Sequence, residues 1–195
     1  ISPLFLTRGV PGTHDTKMLL NTIKALKKTR FKKILIPKFD KGFDDRASKD
    51  KWLRVNKKPN IVIFEGWCVG ADSQKNKDLL VPINVLEKLK DKKKIWRYRV
   101  NKELKKSYKK VFELLDKIIF LRVPSFKHVF KWRLLQEKKL RITSTGKKTM
   151  SDNQIKKFIM FYERLTKHML KNLIHKADSV IKIDKEHRLK SIKFN

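Results

Sequence analysis

Residues 60–67 read N-I-V-I-F-E-G-W, and this stretch decides the fold prediction. Residues 61–64 form a continuous apolar run, which is typical of a strand buried on both faces of a parallel sheet. The run ends at Glu65 and Gly66. Because open α/β sheets bind ligands at the carboxyl ends of their strands, Glu65 is the first candidate for a functional carboxylate.

Three more apolar runs predict strands, at residues 34–36, 118–123 and 180–183. Apolar residues at helical spacing predict helices at 15–28 and 101–116, and Ser125 can cap a helix that reaches about residue 141. The S-x-x-Q pattern of Ser151 and Gln154 is a capping box before a long helix. Strands that alternate with helices favour a parallel sheet with right-handed crossovers, so we predict one α/β domain over residues 1–195.

The polar, aperiodic segments 41–59 and 143–149 are predicted to be loops, and long polar loops are often binding loops or lids. No apolar run approaches the ~20 residues that a membrane span needs. The single Cys68 fits a reducing compartment. The sequence therefore predicts a cytoplasmic protein with no membrane partner.

A large positive charge is the other feature of the composition, since 51 Lys and Arg against 19 Asp and Glu give +32. Such an excess is compatible with nucleic-acid binding through phosphate contacts. However, lysines outnumber arginines and spread over every polar face, and no helix-turn-helix, zinc-finger or RNP signature is present. We therefore predict no specific nucleic-acid binding and keep a basic nucleic-acid-binding module as an alternative.

Residues 8–15 read R-G-V-P-G-T-H-D, which predicts a tight turn at the start of a helix. Thr13, His14 or Asp15 is placed to cap that helix, whose amino end attracts anions. Arg8 adds a guanidinium fork for a carboxylate or a phosphate. An ordinary loop-to-helix cap fits the same residues.

Residues 36–46 read I-P-K-F-D-K-G-F-D-D-R, so charges of both signs follow a predicted strand end. Asp40 suits a hydroxyl group, and Lys38, Lys41 and Arg46 suit an anionic group. Side chains of these types predict a binding site for a polar substrate. A solvated loop is the alternative.

Residues 129–141 read V-F-K-W-R-L-L-Q-E-K-K-L-R. Arg133, Glu137 and Arg141 share one stripe of the predicted helix because they are spaced four residues apart. A basic stripe before a glycine-containing loop can close over phosphates and exclude water. An exposed ladder of ion pairs fits the same spacing.

These segments, in this order, resemble the D-glycerate 3-kinase family of P-loop kinases, which is related to uridine kinase, pantothenate kinase and phosphoribulokinase. The resemblance extends to P-I-N-V-L-E at 82–87, W-R-Y-R-V-N at 96–101 and F-Y-E-R-L-T-K-H at 161–168. It implies a P-loop NTPase-like parallel sheet flanked by helices, with a helical lid over about 125–150. It also implies that ATP with Mg²⁺ phosphorylates a hydroxyl of a small anionic acceptor, with D-glycerate as the leading candidate.

The resemblance also implies roles for particular residues. Glu65 is similar to the acid that supports Mg²⁺ at the phosphates, and Arg133 to a lid arginine that offsets charge on the transferred group. Lys138 and Arg141 accompany Arg133 as phosphate and lid residues. The implied substrate-binding residues are Arg8, Thr13, His14, Asp15, Lys38, Asp40, Lys41 and Arg46. Phe39 stands where relatives often carry Tyr, so a hydroxyl contact is expected to be missing there.

The phosphate-binding motif of the family, G-x-x-x-x-G-K-[ST], does not occur in residues 1–195, and the Gly146-Lys147 pair is followed by another lysine. We therefore expect the N-terminal strand and the P-loop to lie upstream of Ile1, and residues 1–195 alone to hydrolyse ATP poorly. A remnant that kept the acceptor half and acts as a binding or regulatory protein is the alternative to an active kinase.

Overall fold

The computed structural model of the chain describes residues 2–40, 42–143 and 149–195. Its contacts divide the chain into two compact units, Ile1–His14 with Trp67–Asn195, and Asp15–Gly66. Both units combine helices with short strands, as the predicted α/β class requires. The single domain predicted over residues 1–195 stays a prediction.

The smaller unit contains one helix and two short antiparallel strand pairs. Its elements are α1 (Thr16–Lys27), β1 (Ile34–Ile36), β2 (Phe39–Asp40), β3 (Asp45–Arg46) and β4 (Leu53–Val55). Helix α1 begins where predicted because the Asp15 carboxylate accepts a hydrogen bond from the Met18 N–H at 2.9 Å. Strand β1 pairs with β4, and β2 pairs with β3. The segment 41–59, predicted to be a loop, therefore supplies two strands.

The prediction of a buried strand at residues 61–64 is wrong. No strand is assigned there, and Ile61, Val62 and Ile63 expose 80%, 40% and 86% of their surfaces. A strand buried on both faces needs a sheet that pairs with it and other elements that cover both faces of that sheet. Strand β1 is paired with β4 instead, and no described strand pairs with this run.

The larger unit contains a three-stranded mixed sheet, in the order β5–β6–β7. The strands are β5 (Ile119–Arg122), β6 (Ser179–Ile183) and β7 (Leu189–Phe194). Strands β5 and β6 run parallel, whereas β7 runs antiparallel to β6. The predicted strands at 118–123 and 180–183 are confirmed, and β5 with β6 is the only parallel pair among the described strands.

Helices cover much of the larger unit. They are α2 (Val85–Lys90), α3 (Ile95–Glu103), α4 (Lys109–Phe112), α5 (Phe126–Thr143) and α6 (Asp152–Asn172), with a π-helical turn at Leu104–Tyr108. Short 3-10 turns lie at Pro3–Leu6, Asn76–Leu79 and Leu173–His175, and the smaller unit has another at Lys49–Lys51. The helix predicted from residue 101 begins earlier, because the Asp91 carboxylate accepts hydrogen bonds from the N–H groups of Trp96 and Arg97 at 2.9 and 3.2 Å.

The chain crosses from β5 to β6 through α5 and α6. The predicted capping box is confirmed, since the Gln154 N–H donates to Ser151 Oγ and the Ser151 N–H donates to Gln154 Oε1. Helix α6 contributes to a core made of Cys68, Ala71, Leu104, Tyr108, Phe120, Leu165, Met169, Leu173, Ala177 and Val180. Across the described part of the chain, no helix is both long and apolar enough for a membrane crossing.

Two buried ion pairs connect the helices of the larger unit. Arg164 on α6 contacts both carboxylate oxygens of Glu87, at 2.7 and 2.6 Å, and donates to two backbone carbonyls. Arg97 contacts Asp91 at 3.0 Å and donates to the carbonyl of Leu79. Each of the motifs at 82–87, 96–101 and 161–168 therefore contributes at least one residue to these two buried ion pairs.

Candidate functional site

The turn that follows Arg8 is held by its own hydrogen bonds. Gly9 and Gly12 have φ values of +105° and +102°, which glycine adopts without strain. The Gly9 N–H donates to Thr13 Oγ at 2.9 Å, and the Thr13 hydroxyl donates to the Val10 carbonyl at 2.8 Å. Both hydrogen-bonding functions of Thr13 are therefore engaged in shaping the turn.

Tyr108 lies beneath this turn and anchors its far end. The Gly12 N–H donates to Tyr108 Oη at 3.3 Å, and His14 Nδ1 lies 2.5 Å from the same oxygen. Burial raises the pKa of Tyr108, so the phenol stays protonated. Burial lowers the pKa of His14, which favours a neutral imidazole. His14 is thus placed to stabilise the turn, and a neutral ring adds no charge for an anion.

Tyr162 on α6 connects the near end of the turn to the segment after Glu65. The Tyr162 hydroxyl donates to the Arg8 carbonyl at 2.7 Å. Its ring meets the Trp67 ring edge-on, with centroids 4.8 Å apart. The Trp67 indole N–H also donates to Thr166 Oγ at 2.9 Å, so α6 holds Trp67 at two points.

Arg133 on α5 is held by a buried acid. Its Nη2 atom lies 2.8 Å from Oε2 of Glu137, which exposes only 2% of its side chain. No described residue donates a hydrogen bond to that oxygen, so the arginine charge compensates it. Arg133 also donates to Gln136 Oε1 at 3.2 Å, and its Cζ lies 6.0 Å from the centre of the Phe158 ring. The predicted stripe is therefore a partly buried pair, not an exposed ladder.

Arg133 lines an apolar cavity of about 450 Å³, which is large enough for part of a small ligand. The cavity is bounded by Trp67, Phe120, Leu121, Val123, Val129, Trp132, Arg133, Gln136, Thr166, Met169 and Leu170. Arg133 supplies the only charged side chain among these lining residues. A single guanidinium at an apolar wall interacts strongly with an anion because little water screens it.

The other predicted lid residues differ in their contacts. Arg141 contacts the Met150 carbonyl and lies 3.0 Å from Asp152 Oδ1, so it ties the end of α5 to the start of α6. Glu137 Oε1 accepts a hydrogen bond from the Met150 N–H at 2.7 Å and strengthens that link. Lys138 is exposed. Residues 144–148 of the predicted lid lie outside the described part of the chain.

The smaller unit brings together four of the predicted substrate-binding residues. Arg46 Nη2 lies 3.0 Å from Asp15 Oδ2, and both side chains are about two-fifths exposed. The β2–β3 hairpin places Asp40 opposite Asp45, and the Lys38 carbonyl accepts a hydrogen bond from the Ala47 N–H at 2.9 Å. Asp40 Oδ1 accepts from the Gly42 N–H. Lys41 lies outside the described residues.

Glu65 is exposed and follows the unpaired apolar run. Among residues 2–40, 42–143 and 149–195, no group of three or more His, Cys, Asp and Glu side chains could hold a metal ion. A single carboxylate nevertheless fits Mg²⁺, which is commonly bound through one or two protein carboxylates together with phosphates and water. The exposed Glu65 carboxylate therefore fits a magnesium ion that phosphates and water also bind.

Arg8 and Arg133 were predicted from the sequence, but the side chains that contact their segments were not. Tyr162 and Trp67 were recognised only as parts of motifs, and Glu137 only as a member of a helix stripe. The available signal was the spacing of Phe158, Tyr162 and Thr166, which places three side chains capable of packing or hydrogen bonding on one face of α6.

The fold of the chain is similar to those of two solved proteins. D-glycerate 3-kinase from Cryptococcus neoformans superposes with a TM-score of 0.79 at 22% identity, over 100% of this chain and 71% of that chain. The solved YGR205w protein superposes with a TM-score of 0.71 at 25% identity, over 95% of this chain and 66% of that chain. No protein-family model matches the chain.

Sequence comparison gives the particular relatives. The uncharacterized kinase mug58 of Schizosaccharomyces pombe is 32% identical over 172 residues, which is 83% of this chain and 58% of the relative. The chloroplastic D-glycerate 3-kinase of Arabidopsis thaliana is 27% identical over 161 residues, 80% of this chain and 32% of that protein. The probable ATP-dependent kinase TDA10 of Saccharomyces cerevisiae is 32% identical over 170 residues, 80% of this chain and 53% of that protein.

The chain is therefore a homologue of D-glycerate 3-kinase and of related kinases, which confirms the resemblance seen in its motifs. It spans 58%, 32% and 53% of the lengths of these three relatives.

The lowered pKa values of two histidines predict how the free energy of unfolding depends on pH. Burial lowers the pKa values of His14 and His168 below 6.5, so the unfolded chain binds these protons more readily than the folded one. The free energy of unfolding should therefore fall as the pH falls from about 7.5 through 6.5, and this loss should level off below the folded-state pKa values. Carboxyl groups with pKa values lowered from 3.8, such as that of Asp178, titrate only at lower pH.

Urea unfolding at pH 7.5 and 5.5 measures this effect. We expect a lower midpoint at pH 5.5, and a smaller difference between the two midpoints in His14→Gln than in the wild-type protein. The exposed His175 provides the control, because His175→Gln should leave the difference unchanged. Equal wild-type midpoints at the two pH values would contradict the prediction.

Proposed function

We propose that the protein containing this chain is a kinase that transfers the γ-phosphoryl group of ATP to a hydroxyl of a small anionic acceptor, with D-glycerate as the first candidate. One observation carries the proposal: in a homologue of kinases, one face of α6 contacts both arginine segments, since Tyr162 donates to the Arg8 carbonyl at 2.7 Å and Phe158 lies 6.0 Å from the Arg133 guanidinium. Phosphoryl transfer depends mainly on positioning and electrostatic stabilisation, which gathered guanidinium groups supply.

In this proposal Arg133 offsets the charge that develops on the transferred phosphoryl group. Its contact with the buried Glu137 fixes the guanidinium in place before the ligand arrives, so little reorganisation is needed at the transition state. Because the lining around Arg133 is mainly apolar, water screens its interaction with an anion less than at a polar surface. Lys138 and Arg141 are proposed to add positive charge along the same helix.

Acceptor binding is proposed for Arg8, Thr13 and His14 of the larger unit, and separately for Asp15, Lys38, Asp40, Lys41 and Arg46 of the smaller unit. The Asp15 carboxylate holds one nitrogen of Arg46 at 3.0 Å, and its partly exposed guanidinium can still meet a carboxylate of the acceptor. Asp40 is proposed to accept a hydrogen bond from an acceptor hydroxyl. A site with several cations and few free acids selects an anionic acceptor.

Glu65 is proposed to support Mg²⁺ at the phosphates, directly or through water. ATP with Mg²⁺ supplies the phosphoryl group and the metal charge when it is bound. Residues 1–195 contain no G-x-x-x-x-G-K-[ST] motif, and none of them is proposed to form a P-loop. The reaction is proposed to take place in the cytoplasm, with no nucleic acid or membrane as partner.

A panel of acceptors tests the proposal. The whole protein, with ATP and Mg²⁺, is assayed for ADP release with small hydroxy acids, nucleosides and no acceptor. We expect acceptor-dependent turnover of about 1–100 s⁻¹ with a hydroxy acid, and loss of turnover when EDTA removes the metal. Binding of a hydroxy acid without turnover would support the inactive binding protein instead. Acceptor-independent ADP release would contradict transfer to a hydroxyl.

A further inference from the structure

One face of helix α6 contacts three segments that are far apart in the sequence. Phe158, Tyr162 and Thr166 are spaced four residues apart and share this face. Phe158 lies below the Arg133 guanidinium at 6.0 Å, and its ring lies 5.0 Å from that of Tyr162. Tyr162 and Thr166 in turn hold the Arg8 turn and Trp67, as described above.

We propose that Tyr162 is a positioning residue, which fixes the Arg8 turn relative to Arg133 so that the acceptor bound by Arg8 meets the phosphoryl group that Arg133 stabilises. It is not a catalytic residue, because its hydroxyl hydrogen is donated to the Arg8 carbonyl at 2.7 Å. This inference rests on the proposed kinase function, since it assigns Arg8 to the acceptor and Arg133 to the transferred phosphoryl group.

The backbone of the turn lies close to the Tyr162 hydroxyl at Gly9. A Cβ atom added at Gly9 would lie 2.8 Å from Tyr162 Oη, closer than real Cβ contacts allow, and the φ of +105° at Gly9 also disfavours a side chain. The missing side chain thus lets the backbone of the turn approach the phenol directly. The hydroxyl and Gly9 therefore form one matched contact.

The charges around Tyr162 also support its role as a donor. Burial raises its pKa, and the nearby positive charges of Arg133 and Arg8 oppose this without reversing it. The phenol therefore keeps its proton across the neutral pH range, and its hydrogen bond to Arg8 persists.

Tyr162→Phe removes the hydroxyl and keeps the ring against Trp67 and Phe158, so the variant is expected to fold. Tyr98→Phe is the matched control, because Tyr98 also donates its hydroxyl to a backbone carbonyl, that of Asn76, at 3.4 Å. Both variants are made in the whole protein. Hydrogen exchange at the amides of Gly9, Gly12 and Thr13 reports on the turn, and steady-state kinetics report on the reaction.

We expect exchange at these three amides to become about five- to tenfold faster in Tyr162→Phe and to stay unchanged in Tyr98→Phe. The KM of the hydroxy-acid acceptor should rise about five- to tenfold, since the loss of one hydrogen bond is worth roughly that factor. The kcat should stay within about twofold, because Arg133 keeps its contacts with Glu137 and Phe158. This split separates a positioning role from a general loss of structure, which would lower kcat as well.

Unchanged exchange, or faster exchange with an unchanged KM, would overturn the proposal. A wild-type protein that turns over no acceptor would contradict the proposed kinase function, and with it the role of Tyr162 in a shared site. In that case the exchange measurement would still decide separately whether Tyr162 holds the turn.

Discussion

Arg133→Ala in the whole protein is expected to lower kcat for phosphoryl transfer about a thousandfold, while the KM values change little. Arginines that stabilise the transferred phosphoryl group contribute at least this much in enzymes of this mechanistic class. Arg133 also compensates the buried Glu137 carboxylate at 2.8 Å, so the alanine variant should lose stability as well. Initial rates at saturating ATP and acceptor, well below the unfolding temperature, measure the effect on catalysis.

Two further variants separate catalysis from stability. Arg133→Lys keeps the positive charge near Glu137 but loses the planar fork, so we expect it to recover stability and remain at least about tenfold slower than wild type. Lys131→Ala removes an exposed charge from the same helix and should leave kcat unchanged. If Arg133→Ala retains kcat within about threefold of wild type, Arg133 is not a transition-state residue.

Arg164→Met is expected to lower the free energy of unfolding by about 3–5 kcal/mol, which is a large share of the 5–15 kcal/mol typical of proteins. The substitution leaves Glu87, which is 1% exposed, without its cation. It also removes the donor to the carbonyls of Asp78 and Val81, each contacted at 2.7 Å. Urea unfolding of the whole protein measures the change.

Lys167→Met is the matched control on the same helix. Lys167 pairs with Glu163 at 2.5 Å, but its side chain is half exposed, so the pair is screened by water. We expect its loss to change the free energy of unfolding by less than about 1 kcal/mol. Similar unfolding midpoints for Arg164→Met and Lys167→Met would show that the buried pair does not stabilise this unit.

Features set by local contacts were predicted from the sequence. The Asp15 cap of α1 and the capping box of α6 each lie within four residues, so the residues alone define them. Strands β5 and β6 were predicted because both are apolar runs, and each has one buried residue, Phe120 and Val180. These signals depend little on the rest of the fold.

Features that depend on pairing between distant parts of the sequence were not predicted. The apolar run at 61–64 has the composition of a buried strand, but burial requires neighbours that composition cannot supply. Strand β7 was overlooked because its pairing with β6 is irregular: Lys182 is opposite Ser191, whereas Ile183 is opposite Leu189. Lys190 is therefore an extra residue, and it breaks the alternation that marks a strand.

The charged residues of the proposed site were predicted from the sequence, whereas the side chain that lies between them was not. Arg8 and Arg133 stand in recognisable motifs, but the side chain between them, Tyr162, lies 154 residues from Arg8 in the sequence. Sequence spacing cannot reveal such a contact. Thr13 and His14 were predicted to bind substrate, and their described hydrogen bonds lie within the turn and to Tyr108. Their role in substrate binding stays a proposal.

The most direct test of the kinase assignment follows the phosphorus atoms by ³¹P NMR. The whole protein is mixed with ATP, Mg²⁺ and D-glycerate, and Glu65→Gln is measured beside it with Glu113→Gln, another acid on the surface, as a control. We expect the γ-phosphate signal of ATP to disappear as a phosphomonoester signal grows, and we expect this conversion to be at least about a hundredfold slower in Glu65→Gln. Conversion of the γ-phosphate to inorganic phosphate alone, or no conversion with any hydroxy acid, would contradict the kinase assignment.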